Sequence, residues 1–304
     1  MNPSLLSLRA LNSYKRKHTM RTIVLSDHPA TNAQRHARAR HDKFEADQSD
    51  YHGKLLQRKA RSAELKAKAQ EHWREGRLFR WITTQVRRIL HATSAQPPQP
   101  FMRQADTEEI VWNAGSHGEA IVAQTLGAAL ADDWFLLKGY CNSAGEIDQI
   151  LIGPPGIVAL EIKYATGVIH CDGNRWWRDR YDQWGNNVGT GEPLQDRRGR
   201  SPSDQVNAVA DRLQEFLRKR STVSRVYRVV IFSHANAQLG ELREIAVNRV
   251  LTLPHLQIAN LFAPTPQQTI DPRAVAALVQ QDHEFHQRRR DRARAARTGQ
   301  PTPA

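Results

Sequence analysis

Two carboxylates and a lysine stand on neighbouring apolar stretches: Asp148 in Gly145-Glu-Ile-Asp-Gln-Ile-Leu-Ile152, and Glu161 and Lys163 in Ile157-Val-Ala-Leu-Glu-Ile-Lys163. An unpaired carboxylate is costly to bury, so Asp148 inside an apolar strand calls for a functional reason. The joining Gly153-Pro-Pro-Gly156 predicts a hairpin centred between the prolines. In a symmetric antiparallel hairpin about that point, paired residue numbers total 309, which sets Asp148 directly opposite Glu161. Side chains alternate along a strand, so Asp148 shares a face with Ile150 and Ile152, and Lys163 shares one with Glu161. Opposed like charges repel unless a cation lies between them, and hard oxygen donors suit Mg²⁺ or Mn²⁺. Such a cation polarises a phosphodiester and activates water, while a lysine steadies developing negative charge.

Elements on either side must hold this pair. Ser116 precedes Glu119 by three residues and opens an apolar-periodic run through Ile121, Val122, Leu126 and Leu130. This spacing predicts a capping box at the start of a helix. Trp134–Leu137 reads as a short strand, and Val168–Cys171 with Trp176–Arg178 as a further hairpin turning at Asp172-Gly-Asn174. Residues 182–200 read as a long loop. Ser201-Pro-Ser-Asp204 predicts a helix start, with Ser201 as N-cap and Pro202 in the first position. Val206, Val209, Leu213 and Leu217 form its buried face. Arg225–Phe232 is expected as an apolar strand and Val247–Leu253 as another, with helices over 255–262 and 272–285. The order predicts an α/β fold in which helices flank a central mixed sheet, preceded by a basic, mainly helical N-terminal extension.

These motifs together resemble the nuclease-related domain (NERD) family, within the PD-(D/E)xK restriction-endonuclease-like superfamily. The resemblance rests on Gly145-Glu-Ile-Asp148, Glu161-Ile-Lys163, Gly115-Ser-His-Gly-Glu119, Gly167, and Gln205 in Ser-Asp-Gln-Val. It covers roughly residues 112–235. It implies a metal-dependent nuclease with Asp148 and Glu161 as metal ligands and Lys163 as catalytic. Glu119 would assist the metal or the nucleophile, and Gln205 would orient it. The long insertion after the second hairpin departs from the family pattern. A capping box alone would also account for Glu119, and a polar helix surface for Gln205. Glu146 is expected to face solvent.

Charge distribution suits such a substrate. The 304 residues carry 44 Lys+Arg against 31 Asp+Glu, a net of +13. Residues 1–100 hold +12 of it, 101–280 are at −2, and 281–304 add +3. Basic ends flanking a nearly neutral middle point to nucleic acid, DNA ahead of RNA, held through salt-sensitive phosphate contacts. Arg175, Trp177, Arg178, Arg197, Arg198 and Arg200 are the candidate nucleic-acid contacts. Adjacent strand residues face opposite ways, so only one of Trp176 and Trp177 can present a stacking surface.

Cys141 and Cys171 are the only cysteines, with no Cys-x-x-Cys pair, which excludes a disulfide scaffold and the common zinc modules. No apolar run reaches the roughly 18 residues of a membrane span. The expected location is the cytoplasm. The expected layout is a disordered segment over 1–50, a basic helical region over 51–95 and a Pro/Gln-rich linker over 96–111. The nuclease-related domain then covers 112–280 and an Arg-rich tail 281–304. Met20 is an alternative start to Met1. An apolar stripe of Leu78, Ile82, Val86, Ile89 and Leu90 makes self-association through 54–90 a further expectation; a membrane-surface role for the stripe ranks last. The competing reading of the whole chain is a catalytically idle nucleic-acid-binding or interaction protein that retains the fold.

Overall fold

The computed structural model describes residues 19–262 and 269–298. The chain is α/β, with mixed sheets flanked by helices and a mainly helical N-terminal region. The described residues up to Ala30 and from Trp112 onward form one compact unit, and Thr31–Val111 form another.

In the larger unit a six-stranded sheet runs in the order β1-β2-β3-β4-β8-β10. The strands are β1 (Arg21–Val24), β2 (Phe135–Asn142), β3 (Gly145–Gly153), β4 (Gly156–Lys163), β8 (Val226–Phe232) and β10 (Arg249–Thr252). β2, β3 and β4 form an antiparallel meander, while β4 with β8, β8 with β10 and β1 with β2 are parallel. Both faces of the central strands are buried, which is why these strands read as near-continuous apolar runs.

Each face packs its own core. On one side Val122 and Leu126 of helix α3 (Thr107–Ala129), with Leu130 just beyond its end, meet Leu136, Leu151, Val158, Leu160 and Ile231. On the other side Val206, Val209 and Leu213 of α4 (Pro202–Arg218) meet Leu137, Ile150, Ile152, Ala159 and Val230. Helix α6 (Pro272–Thr298) adds Val275, Ala276 and Val279 to this second core. A four-stranded sheet, order β7-β6-β5-β9, borders it. Its strands are β5 (Gly167–Asp172), β6 (Arg175–Tyr181), β7 (Asn187–Pro193) and β9 (Ala237–Arg243). Ile169, Cys171 and Trp176 join the α4 core from this sheet.

The start of α4 follows its sequence signature. Ser201 Oγ accepts the Asp204 N–H and the Asp204 carboxylate accepts the Ser201 N–H, so the capping box closes both ways. The box expected at Ser116 does not form. α3 begins nine residues earlier at Thr107, and Asp106 Oδ1 accepts the Glu109 N–H at 2.7 Å. Ser116 therefore lies inside the helix.

Other boundaries also move. Residues 19–50, expected to be unstructured, form β1 and the first half of α1 (His28–Arg74); residues 1–18 lie outside the described residues. Hydrogen bonds from Met20 N–H to Leu130 O and Arg21 N–H to Trp134 O, continued by the pairing of β1 with β2, join the start of this segment to the sheet. The helical region breaks at Glu75–Arg77 before α2 (Leu78–Thr93), and the expected linker is helical from Thr107. The long loop of 182–200 contains β7, paired antiparallel with β6. The Arg-rich end continues α6. Asp282 and His283, placed at the start of a tail by the sequence, are buried, with Tyr140 Oη donating to Asp282 and the Cys141 N–H donating to His283 Nδ1 at 3.1 Å. Strand Val247–Leu253 shortens to β10, and helix 255–262 to a 3-10 turn over Leu253–His255 followed by α5 (Ile258–Leu261). Both cysteines are free and buried.

Candidate active site

β3 and β4 pair in the register expected of the Gly-Pro-Pro-Gly turn, from Gly153 with Gly156 out to Gln149 with Leu160. The ladder ends there, one step short of Asp148 and Glu161. On the other side of β3, the pairing with β2 skips Gly139 opposite Asp148. Gly139 has φ +68°, and a Cβ on it would lie 2.2 Å from Ser26 O. The chain after β1 presses against β2 at this point and kinks it.

The kink breaks strand alternation. Ile147 and Ile150 lie three residues apart in the same core, as do Leu137 and Tyr140. Asp148 thus does not share the Ile150 face. It sits at the break, half-buried, where its Oδ2 accepts the Ile162 N–H at 2.6 Å. The expected facing pair is corrected accordingly: Asp148 fills the place of a missing ladder acceptor instead of standing square to Glu161.

Glu161 and Lys163 keep the expected shared face. Lys163 Nζ donates to Glu161 Oε1 at 2.6 Å and to Gln205 Oε1 at 3.0 Å. Gln205 stands in the first turn of α4, and its Nε2 donates to Arg200 O at 3.1 Å and Ser201 O at 3.2 Å. The helix cap therefore fixes the amide that fixes the lysine. Burial works against the Lys163 charge, but the carboxylates of Glu161 and Asp148 outweigh it and hold its pKa above the ordinary value.

Glu119 approaches from α3. Gln149 Nε2 donates to Glu119 O at 2.7 Å, clamping that turn of the helix to β3. Its side chain is buried, and among the described residues none donates a hydrogen bond to its carboxylate. Burial first, then the Asp148 charge, pushes the Glu119 carboxyl up to about 9. The same two causes push Glu161 up to about 7, against the pull of Lys163 and Arg200. Asp148 is raised by burial, with Lys163 and the Ile162 N–H opposing. Three carboxyls crowded around one ammonium resist full ionisation, and their raised pKa values express that.

The donors have the chemistry of a hard divalent cation site. Among the described residues no three of His, Cys, Asp and Glu converge into a closed cage. Such a cage is not required of Mg²⁺, which commonly takes one or two carboxylates and completes its shell with water and substrate phosphate. Gln149 Oε1 and Ser233 Oγ are buried polar atoms without a hydrogen-bond partner. Ser233 lies so close to Gly118 that a Cβ there would stand 2.6 Å from its Oγ.

Residues 114–233 match the family model described as the nuclease-related domain, NERD. That segment is a nuclease-related domain. Its placement in the PD-(D/E)xK superfamily is consistent with the name. No curated protein and no solved structure gave a match. The nuclease-related domain holds all five of Glu119, Asp148, Glu161, Lys163 and Gln205.

Other site neighbours lie outside the matched segment or were not singled out by sequence. Ser26 and His28, ahead of the nuclease-related domain, reach Glu146 at 3.2 and 3.5 Å. Glu146, expected in solvent, is partly buried, and burial pushes its carboxyl up. Asp27 raises the Glu119 pKa and Lys138 lowers it. A polar residue next to Asp148 in an otherwise apolar strand was the one available signal for Gln149. Nothing local pointed to Ser26 or His28, whose position depends on β1 pairing with a strand more than 100 residues away.

The candidate nucleic-acid contacts divide. Trp176 is buried and donates from Nε1 to Ser203 Oγ at 2.5 Å, while Trp177 stacks on His170 at 5.4 Å with Arg175 over its ring at 5.5 Å. Arg178 pairs with Glu192 at 2.9 Å. Arg197 and Arg198 are exposed. Arg200 pairs with Asp196 at 2.7 Å, and of the six it is the one whose charge acts on Glu161. Trp184, overlooked in the sequence, is 77 % exposed between β6 and β7. Asp182 Oδ1 fixes that turn by accepting the N–H groups of Trp184 and Asn186, both at 2.9 Å.

Proposed function

We propose that the chain is a divalent-metal-dependent nuclease that hydrolyses phosphodiester bonds, with DNA the favoured substrate. The observation that carries this reading is the Lys163 ammonium held between Glu161 and Gln205 beside the Asp148 carboxylate. Asp148 and Glu161 are the residues that would hold Mg²⁺ or Mn²⁺. When bound, the cation would polarise the scissile phosphate and lower the pKa of a coordinated water.

The chain's own residues supply positioning and charge. Lys163 stays protonated at neutral pH and presents a cation to the non-bridging phosphate oxygens as negative charge grows. Gln205 prevents the flexible lysine stem from swinging, because its amide is fastened to the α4 cap. Glu119, raised to about 9, carries a proton at neutral pH in the metal-free protein and, beside Asp148, would give it up more readily were a cation held nearby. Arg175, Arg197, Arg198 and the exposed ring of Trp184 are suited to hold phosphate and bases without reading sequence, with Trp177 stacked on His170 behind Arg175.

The test is cleavage of supercoiled, linear and single-stranded DNA and of RNA by purified protein with Mg²⁺ or Mn²⁺. Cleavage that Glu161→Ala and Lys163→Ala each remove supports the reading. Salt-dependent binding with no cleavage under any of these conditions supports instead the idle nucleic-acid-binding protein.

A further inference from the structure

The polar side of α2 packs inward and its apolar side faces water. Trp81, Thr84, Gln85, Arg88 and His91 are its covered side chains. Thr84 is buried, Trp81 meets Trp73 of α1 at 5.3 Å between ring centroids, and His91 Nε2 hydrogen-bonds Arg58 O of α1 at 3.1 Å. Arg58 in turn donates to the carbonyls of His91, Ala92, Ser94 and Ala95, satisfying the C-terminal end of α2. The opposite face carries Leu78, Phe79, Ile82, Val86, Ile89 and Leu90, all more than half exposed, with Phe79 at 87 %. At 3.6 residues per turn these six form one continuous stripe along the helix.

Charge around the stripe has a single sign. Between Glu75 and Asp106 there is no acidic residue, and there are five arginines. Arg80 and Arg87 are exposed and lie beside one edge of the stripe; Arg77, just before the helix, pairs with Glu75 at 3.0 Å, and Arg88 lies on the covered side with Nη1 donating to Gln85 at 2.9 Å. An exposed stripe of this size marks an interaction site. Two copies of this face laid together would bring Arg80 and Arg87 of each copy to the interface with no acidic side chain of α2 to pair them. A protein groove would have to supply acidic groups along that edge. An anionic lipid surface meets both requirements at once: the apolar stripe enters the acyl boundary, and Arg80 and Arg87 along its edge rise to the headgroups.

We propose that α2 is a peripheral membrane anchor that lays its Leu78–Leu90 stripe into an anionic lipid surface. It lies in the interface and does not span it; among the described residues no helix is long and apolar enough to cross a membrane. The proposal stands independently of the nuclease reading.

The test is co-flotation of the full chain with phosphatidylcholine vesicles and with vesicles that also contain phosphatidylserine, alongside its mass by light scattering. The triple variant Phe79→Ser, Ile82→Ser, Leu90→Ser changes only exposed side chains, so its circular dichroism and melting should match the parent. Binding confined to the phosphatidylserine vesicles, reduced about tenfold or more by the triple variant and also weakened by Arg80→Ala with Arg87→Ala, is the expected result. Anionic-vesicle binding that the triple variant leaves intact would assign it to basic segments elsewhere and overturn the proposal. So would equal binding to both vesicle types, or no vesicle binding at all. A parent dimer that the triple variant turns into a monomer, without vesicle binding, would show that a second copy covers the stripe.

Discussion

Lys163 and Gln205 are joined by a hydrogen bond of 3.0 Å between the end of β4 and the first turn of α4, 42 residues apart in sequence. The amide occupies one of the three donor directions of the ammonium and Glu161 occupies another. This arrangement ties the proposed chemistry to the cap of a helix.

Gln205→Ala should therefore slow cleavage without abolishing it. The expected loss is about tenfold to a hundredfold in kcat with little change in KM, since the side chain positions the lysine. Lys163→Ala should cost more, about a hundredfold to a thousandfold. Steady-state kinetics on both variants checks the order; a Gln205→Ala enzyme as fast as the parent would remove Gln205 from the site.

Glu119→Gln should stabilise the metal-free protein, and more so as pH rises. The folded-state pKa of about 9 lies above the ordinary carboxyl value of 4.5. For a raised carboxyl, its contribution to stability is complete below about 4.5 and is lost as pH climbs towards 9. The melting temperature of Glu119→Gln minus that of the parent should thus grow between pH 5 and pH 9 (an approximate window set by those two values). Added Mn²⁺ should narrow the difference by stabilising the parent. Thermal melts at several pH values, with and without metal, give the result; a difference independent of pH would contradict it.

His283 makes an opposite contribution. Burial is the main cause, with Arg290 assisting, that holds its pKa below the usual 6.5. A depressed histidine contributes stability that is present above about 6.5 and is lost as pH falls through its folded-state value. Urea unfolding should show stability declining below pH 6.5 (about the unfolded value) more steeply in the parent than in His283→Gln. The glutamine retains an acceptor for the Cys141 N–H without taking up a proton.

Gly139→Ala should be strongly destabilising. Its φ of +68° disfavours a side chain, and the Cβ would stand 2.2 Å from Ser26 O and 2.3 Å from Ser26 Oγ. Left-handed strain and backbone overlap together should cost about 3 kcal/mol. Chemical denaturation measures this, and Gly173→Ala is the comparison, since it has φ +58° with nothing within 4 Å. An equal loss in the two variants would show that strain alone, and no close approach of Ser26, is at work.

Trp184→Ala should weaken binding of single-stranded DNA by about 1–3 kcal/mol if the exposed ring stacks on a base. The fold should be untouched, because the Asp182 turn is held by backbone N–H groups. Fluorescence anisotropy at fixed salt measures the change; unchanged affinity would remove the β6–β7 turn from the nucleic-acid surface.

Local pattern was enough for much of this molecule. Period-two and continuous apolar runs placed β3, β4 and β8, and the Gly-Pro-Pro-Gly turn set the β3–β4 register through Gln149 with Leu160. Ser201-Pro-Ser-Asp placed the start of α4 and, with it, Gln205. These features depend on interactions within a few residues, which is why sequence spacing carries them. Strand parity likewise brought Glu161 and Lys163 to one face, since β4 is regular at that point.

Long-range packing decided the rest. Asp148 left the expected face because a segment more than 100 residues earlier in the chain pairs along β2 and kinks it at Gly139. β1 carries only the start of a brief apolar run, Ile23-Val-Leu25, and is a strand because β2 offers it hydrogen bonds. Glu119 lost its expected capping role when α3 proved to begin at Thr107, leaving a buried carboxylate beside Asp148. The sequence by itself determined the residue types of the site and the elements that carry them. Tertiary structure alone decided their mutual geometry, because a strand's alternation is a local rule and the β-sheet contacts that break it are made between distant parts of the chain.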